Sequence, residues 1–394
     1  MKKGWDTKRL GEVAKVGAGN SAPQDKSLFE KGSIPFFRTA DAGRVRFGDI
    51  RKAKDCLNDR GANKLRRFGK GTILFPKSGA STFLNHRVML AIEGCVSSHL
   101  ATIVADEKQA HPRFLLYFLS TIMAQDLVQD HAYPSLNLPI IADIQIPVPP
   151  LPEQRRIVAL LDEAFAGLAT AKANAAKNLQ NARALFESHL NDVFTKRGEG
   201  WVERMLEEIG KTQTGSTPKT SVQSNYGGYI SFVKPGDFNR DGTLDYDKDG
   251  LSESGAEGAR IVPAGSVLMV CIGATIGKCG CCDQDVTTNQ QVNALTPTDG
   301  SSDRFIYYQM LTETFQRKVI HASGQATLPI INKSKWSALS VWLPPKVAEQ
   351  KKIAAKLDTL SAETRRLAAI YERKLAGLEA LKKSLLHQAF TGEL

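Results

Sequence analysis

Glu153-Gln154-Arg155-Arg156-Ile157-Val158-Ala159-Leu160-Leu161-Asp162 decides the reading of this chain, because it returns 196 residues later as Glu349-Gln350-Lys351-Lys352-Ile353-Ala354-Ala355-Lys356-Leu357-Asp358. Both copies follow a proline-rich entry, Pro147-Val148-Pro149-Pro150-Leu151-Pro152 in one and Leu343-Pro344-Pro345 in the other. Proline before a start and Glu in the first turn open helices, since the missing N–H and the carboxylate both suit a helix N-terminus. Residues 153–195 then run without proline, about 65 Å at about 1.5 Å per residue. The same offset pairs Leu185, Ser188, Leu190, Phe194 and Thr195 with Leu381, Ser384, Leu386, Phe390 and Thr391. A repeat of half the chain length fixes the organisation before any element is assigned.

Outward from these helices the similarity persists, more loosely. Trp5, Leu10, Glu12 and Val13 match Trp201, Leu206, Glu208 and Ile209; Gly32 to Arg38 and Asp41 match Gly228 to Lys234 and Asp237; Gly71-Thr72-Ile73-Leu74 matches Gly265-Ser266-Val267-Leu268. The order is therefore domain (1–150), helix (151–196), domain (197–346), helix (347–394). Short β-branched or aromatic runs at Ile34–Phe37, Thr72–Phe75, Thr102–Val104, Tyr229–Val233 and Ser266–Cys271, separated by Gly, Pro, Asn and Asp, make the globular parts α+β. Further helices are expected at Pro112–Gln129 and Asp303–Ile320.

Apolar or small residues recur in heptad steps along the first helix at Ile157, Leu161, Ala164, Leu168, Ala171, Ala175, Ala182 and Leu185. The second shows Ile353, Leu357, Leu360, Leu367, Tyr371, Leu378, Leu381 and Leu385. Such stripes specify a pair, antiparallel or parallel.

The chain has 394 residues, 42% of them hydrophobic and 24% charged, as in soluble globular protein. No apolar run long enough to span a bilayer is present, and the N-terminus lacks the apolar stretch of a secretory signal, so the expectation is a cytoplasmic protein with no membrane. Lys and Arg number 52 against 41 Asp and Glu, an excess that fits a polyanion. Residues 1–150 hold 22 basic and 14 acidic side chains, whereas 196–348 hold 16 of each; residues 44–70 alone carry ten Lys or Arg against three Asp. The first domain is the one equipped to track a phosphate backbone.

In combination with the duplicated helix entry, the terminal Phe390-Thr391-Gly392-Glu393-Leu394 resembles the specificity subunits of type I restriction-modification systems, over essentially the whole chain. The resemblance implies two homologous target-recognition domains, each followed by a long helix, with the helices pairing as an antiparallel coiled coil through Ile157, Leu161, Leu168, Leu185, Ile353, Leu357, Leu360 and Leu378. It implies a subunit without chemistry of its own, which reads a bipartite, asymmetric site on double-stranded DNA. Two methyltransferase subunits using S-adenosylmethionine would dock on the helices and methylate adenine N6, and ATP-using restriction subunits would join them. The readings that compete are a specificity subunit serving a type IIB-like methylase-nuclease and a free-standing DNA-binding regulator.

A cofactor loop and an Asn/Asp-Pro-Pro-aromatic methylase motif are both lacking in the sequence, so no catalytic residue and no resident cofactor is assigned. Gly273-Ala274-Thr275-Ile276-Gly277-Lys278-Cys279 imitates a phosphate loop, but Ile272 stands where the first Gly is needed. Asp237-Phe238-Asn239-Arg240-Asp241-Gly242 copies the front of a calcium loop whose twelfth position is Lys248, not Glu. Cys271, Cys279, Cys281 and Cys282 cluster without a second metal knuckle, so buried thiols are expected and no metal. The candidates for DNA contact are donors at repeated positions: Arg38, Thr39 and Asp41 with Lys234 and Asp237; Lys77 and Ser78 with Lys278; Ser98 and His99 with Asn289, Gln290 and Gln291. Arg44, Arg46, Arg66 and Arg67 are expected as phosphate contacts of the first domain only. Arg, Asn and Gln can bond twice to one base edge, which is why these types are singled out.

Overall fold

The computed structural model describes residues 4–128, 132, 134–239, 241–324 and 328–394. Gln129 and Arg240, which fall in stretches quoted above, lie outside the described residues. Two compact units emerge, residues 1–174 with 374–394 and residues 175–373.

In the first unit a five-stranded sheet runs Ala14–Ala18, Leu100–Ala105, Ile73–Pro76, Arg87–Leu90, Phe47–Ile50, antiparallel except for the last pair. A smaller sheet runs Asp55–Leu57, Ile34–Phe37, Gly94–Val96, Arg67–Phe68, and Asp6–Arg9 pairs with Gln145–Val148. The second unit repeats the plan. Its sheets run Gly210–Thr214, Val292–Pro297, Ser266–Val270, Cys279–Cys282, and Gly250–Leu251, Tyr226–Val233, Val286–Thr288, Ile261–Val262. Val202–Met205 pairs with Ser340–Leu343 as in the first unit. The parallel pair inside each smaller sheet, Phe36 with Cys95 and Phe232 with Thr287, marks the same crossover in both.

The helices expected at 112–129 and 303–320 are both shorter than periodicity suggested, for one reason. Pro112–Leu119 ends where the Ser120 and Thr121 hydroxyls donate to the carbonyls of Tyr117 and Phe118, each at 2.6 Å. Asp303–Leu311 ends at Thr312, whose hydroxyl donates to Gln309 O at 2.6 Å and caps the next helix, Glu313–Ser323, by accepting from Phe315 N. Hydroxyl side chains that bond the last turn compete with its continuation.

The long helices are Leu151–Lys196 and Val347–Thr391. In the first unit the start of one and the end of the other share a core: Ile157, Val158 and Leu161 pack with Leu386, Ala389 and Phe390 against Phe114 and Phe118. In the second unit Leu190 and Phe194 share a core with Ala354 and Leu357, Trp201 and Phe305. The pairing is antiparallel, because residue numbers rise on one helix as they fall on the other: Arg156 reaches Leu394 O, Lys172 pairs Glu379 and Arg183 pairs Glu372.

The contact stripe departs from a strict heptad. Ile157, Leu161 and Leu357 are buried; Leu168, Ile353, Leu360 and Leu378 are half-buried. Leu185, expected in the seam, is 53% exposed, as are Leu367 (40%) and Leu381 (47%) on the other helix. Ala175 and Ala182 are buried as the stripe requires, but beside Leu185 it is Phe186 that faces inward, 6.0 Å from the Tyr308 ring. A straight helix drifts by about 20° per heptad, so four heptads from Ile157 turn Leu185 about 80° off the seam. On the second helix the inward place beside Leu381 goes to Lys382, whose ammonium lies 4.7 Å from the Phe47 ring centre and 5.3 Å from that of Phe165.

Candidate nucleic-acid interface

Each domain is fastened to its helix by the duplicated sequence that opens the helix. Gln154 is fully buried; its Oε1 accepts from His111 N at 2.8 Å and its Nε2 donates to Gln109 O and Pro149 O at 2.9 and 2.8 Å. Gln350 repeats this with Ser302 N at 2.9 Å and Pro344 O at 3.2 Å. His111 and Ser302 are the residues that precede the domain helices Pro112–Leu119 and Asp303–Leu311, so one carboxamide satisfies an orphan N–H at a buried helix start.

Two turns on, Asp162 accepts from Tyr117 Oη and from Arg113 Nη1 (3.2 Å), while Arg113 also grips Asp49 through two 2.8 Å bonds. Asp358 accepts from Tyr308 Oη (2.7 Å) and Arg304 Nε (3.1 Å). Burial and the neighbouring carboxylate push both tyrosines above the usual phenol range. These joints were not singled out from the sequence. The signal was present in Arg113-Phe114-Leu115-Leu116-Tyr117 against Arg304-Phe305-Ile306-Tyr307-Tyr308.

The reading edge is likewise built twice on one backbone frame. Gly19 N and Asn20 N donate to Leu100 O (3.2 Å) and Val96 O (2.8 Å); Gly215 N and Ser216 N donate to Val292 O (3.0 Å) and Thr288 O (2.8 Å). A Cβ on Gly19 would lie 2.0 Å from Val96 O, and one on Gly215 2.2 Å from Thr288 Oγ1, so only glycine permits the approach. Between those partners the chain turns outward as Ser97-Ser98-His99 in one unit and Asn289-Gln290-Gln291 in the other. Ser97 N bonds Phe37 O and Asn289 N bonds Val233 O, which places Arg38 and Lys234 beside the turns.

Lys77 N donates to His99 O (3.0 Å), and Cys271 N to Gln291 O (2.7 Å). The counterpart of Lys77 is therefore Cys271, that of Ser78 is Ile272, each in an isolated bridge to Ser135 or Ile330. Lys278, matched to them by sequence, lies instead at the far end of the following turn, with its N–H on Thr275 O; the 194-residue offset that matches Gly71–Leu74 to Gly265–Leu268 leads from Lys77 to Cys271, not to Lys278. Arg66 also differs from expectation. Its N–H donates to Asn20 Oδ1 (3.0 Å), as Arg260 N donates to Ser216 Oγ (3.3 Å), and the next residues, Arg67 and Ile261, pair with the equivalent Cys95 and Thr287. Arg66 therefore has an equivalent in the second unit, Arg260.

Arg38, Lys77, Ser98, His99 and Arg66 are thus brought together around Asn20, whereas other candidates stand apart or are occupied. Thr39 begins the helix Thr39–Val45, Arg44 pairs with Asp41 at 3.1 Å, and Arg46 is exposed just past its end. Arg67 pairs with Glu93 at 3.5 Å. Arg38 is held by Asp55 at 2.7 Å and Lys234 by Asp249 at 2.8 Å. Asp41 and Asp237 are buried and accept from Arg38 N (2.9 Å) and Lys234 N (2.7 Å), which makes them local caps. Gln290 accepts from the Thr217 hydroxyl, and Asn289 and Gln291 bond each other. The acidic residues after Lys234 are also paired, Asp237 and Asp245 with Lys248 and Asp241 with Arg365.

The cysteines are free. Burial pushes Cys271 and Cys281 up to about 12 and Cys282 to about 11, values at which a thiol keeps its proton. Among the described residues no cluster of three His, Cys, Asp or Glu could hold a metal, and no helix is long and apolar enough to cross a membrane.

A protein with two copies of one α+β reader, each locked to an antiparallel helix pair and carrying different side chains on the same turn, is a two-headed recognition protein. The chain belongs to the type I restriction modification DNA specificity domain family, whose model matches residues 2–178 and 198–372. It is similar to the Type I restriction enzyme HindI specificity subunit of Haemophilus influenzae, 30% identical over 189 residues, 45% of this chain and 41% of that one. The MjaIX specificity subunit of Methanocaldococcus jannaschii is 28% identical over 165 residues, 40% and 37% of the two chains. The match thus spans less than half the length of these relatives. In fold, a chain from work on complex assembly and conformational transition of the type I R-M system superposes with TM-score 0.80 at 21% identity, covering 100% of this chain and 99% of that one. The HsdS subunit from Thermoanaerobacter tengcongensis gives 0.62 at 20%, covering 100% and 98%.

Proposed function

We propose that this chain is the DNA-specificity subunit of a type I restriction-modification complex, non-catalytic itself, binding a bipartite and asymmetric site and docking methyltransferase and restriction subunits. One observation carries the reading: a glycine-locked frame repeated in both domains presents Ser98 and His99 in one copy and Gln290 and Gln291 in the other. The same scaffold with different base-edge chemistry is what reading two different half-sites requires, since bases are told apart by donor and acceptor pattern. Arg38, Lys77, Ser78 and Lys234 flank those turns, while Thr39, Arg44, Arg46, Arg67 and Lys278 stand farther from them. S-adenosylmethionine and ATP belong to the partner subunits. Family membership favours this over a type IIB-like specificity subunit or a free-standing regulator.

The test is reconstitution. Purified chain with S-adenosylmethionine and DNA should transfer no methyl groups, and adenine-N6 methylation should appear on adding a methyltransferase subunit. Turnover by the chain alone would sink the reading.

A further inference from the structure

Where two readers differ because their half-sites differ, a cation kept at the same place in both has no base in common to address, but it has the sugar-phosphate backbone. Resting on the DNA-reading function proposed above, we propose that Lys15 with Arg66 in the first unit, and Lys211 with Arg260 in the second, form a repeated grip on the phosphodiester backbone of duplex DNA.

Arg66 and Arg260 leave the frame at the same point, each with its backbone N–H held by the residue after the obligatory glycine. Their guanidinium groups lie back along the same strand. Arg260 Nη1 donates to Thr214 O at 2.8 Å, and Arg66 Nη1 would meet a Cβ on Gly17 at 3.8 Å. Ala14–Ala18 and Gly210–Thr214 are edge strands of their sheets, and each presents an exposed lysine at its second position, Lys15 and Lys211. In the second unit Lys211, Thr212, Gln213, Arg260 and Lys333 line an open groove of about 550 Å³ whose walls include no carboxylate. Among the described residues none of Lys15, Arg66, Lys211 and Arg260 forms an ion pair.

Two comparisons separate this set from the rest. Arg38 and Lys234 are also cations kept in both copies, but Asp55 and Asp249 neutralise them. Arg66 lies 5.9 Å over Phe68, yet Val262 takes that place beside Arg260, so stacking is not the reason for keeping an arginine in both. The remaining positions of the edge have changed chemistry: Asn20 to Ser216, Lys77 to Cys271, Ser98 to Gln290, His99 to Gln291. Phosphate contacts position a protein without carrying sequence information, which accounts for their survival where the readers diverged.

The full chain is titrated with a labelled short duplex of random sequence, and with the duplex it selects from a randomised pool, between about 50 and 200 mM salt. Arg66→Ala/Arg260→Ala should weaken both bindings by a similar factor and flatten the log–log salt slope by about 0.9 for each phosphate no longer neutralised. Its preference for the selected duplex over random DNA should stay the same. Arg66→Lys/Arg260→Lys should keep the slope. Lys15→Ala/Lys211→Ala should flatten it equally, and gives the same readout if the arginine variant melts early. An unchanged slope in a variant that melts like wild type overturns the grip, as does a failure to discriminate at one half-site. Wild type that binds no duplex at any salt overturns the DNA-reading function itself, and the grip with it.

Discussion

Gln154 and Gln350 are buried amides that each answer several backbone groups at once, and that is the residue-scale reason Glu-Gln recurs at both helix starts. Gln154→Ala leaves the His111 N–H and the Gln109 and Pro149 carbonyls without partners. A buried group left unsatisfied costs about 1–3 kcal/mol, so urea unfolding should show a destabilisation of about 2–4 kcal/mol, with Gln350→Ala close behind. His111 adds a pH dependence. Burial first, then Arg155 and Arg113, hold its pKa below the usual 6.5, and its Nδ1 is buried without a hydrogen-bond partner among the described residues. The folded state therefore binds fewer protons than the unfolded one below about pH 6.5, so stability is complete above that value and fades as pH falls. Melting of wild type against His111→Asn should show a shallower acid decline in the variant; parallel curves would contradict this.

At the scale of elements, the seam between the long helices follows the period of a straight helix. That distinction is measurable at adjacent residues. Phe186→Asp places a charge against Tyr308 and the core of the second unit and is expected to cost about 2–4 kcal/mol. Leu185→Asp, one residue away and exposed, should stay within about 0.5 kcal/mol of wild type. A strict heptad seam gives the reverse order in thermal or urea unfolding. Leu357→Asp, in the buried part of the same seam, should be at least as severe as Phe186→Asp. The surface pairs Lys172–Glu379 and Arg183–Glu372 fix direction more than stability, since exposed ion pairs contribute about 0–1 kcal/mol.

For the whole molecule the duplication predicts how specificity is divided. Exchanging residues 1–150 for those of another family member should change one half-site and leave the other intact, because each domain carries its own frame and its own turn. Lengthening both long helices by a heptad should alter the gap between half-sites alone. Methylome sequencing of cells carrying each variant with its methyltransferase reads both outcomes. A swap that changed both half-sites, or a continuous motif, would contradict two independent readers.

The amino-acid sequence by itself determined the duplication, the two long helices, their start at a proline-rich entry followed by Glu-Gln, and the α+β character of the domains. These are local or periodic properties, set by proline, helix-opening carboxylates, apolar spacing and runs of β-branched residues. Ile157, Leu161 and Leu357 were legible as apolar seam positions for that reason. Only the tertiary structure decided the rest. It rejected Leu185 because a small angular drift per heptad accumulates over four of them. It set Lys77 opposite Cys271 and Arg66 opposite Arg260 through equivalent backbone hydrogen bonds, although both pairs lie at the same 194-residue offset that matches Gly71–Leu74 to Gly265–Leu268 and were therefore legible in the sequence. It revealed the Asp162 and Asp358 joints because a carboxylate on one helix and an Arg and Tyr on another are brought together only when the core between them is packed.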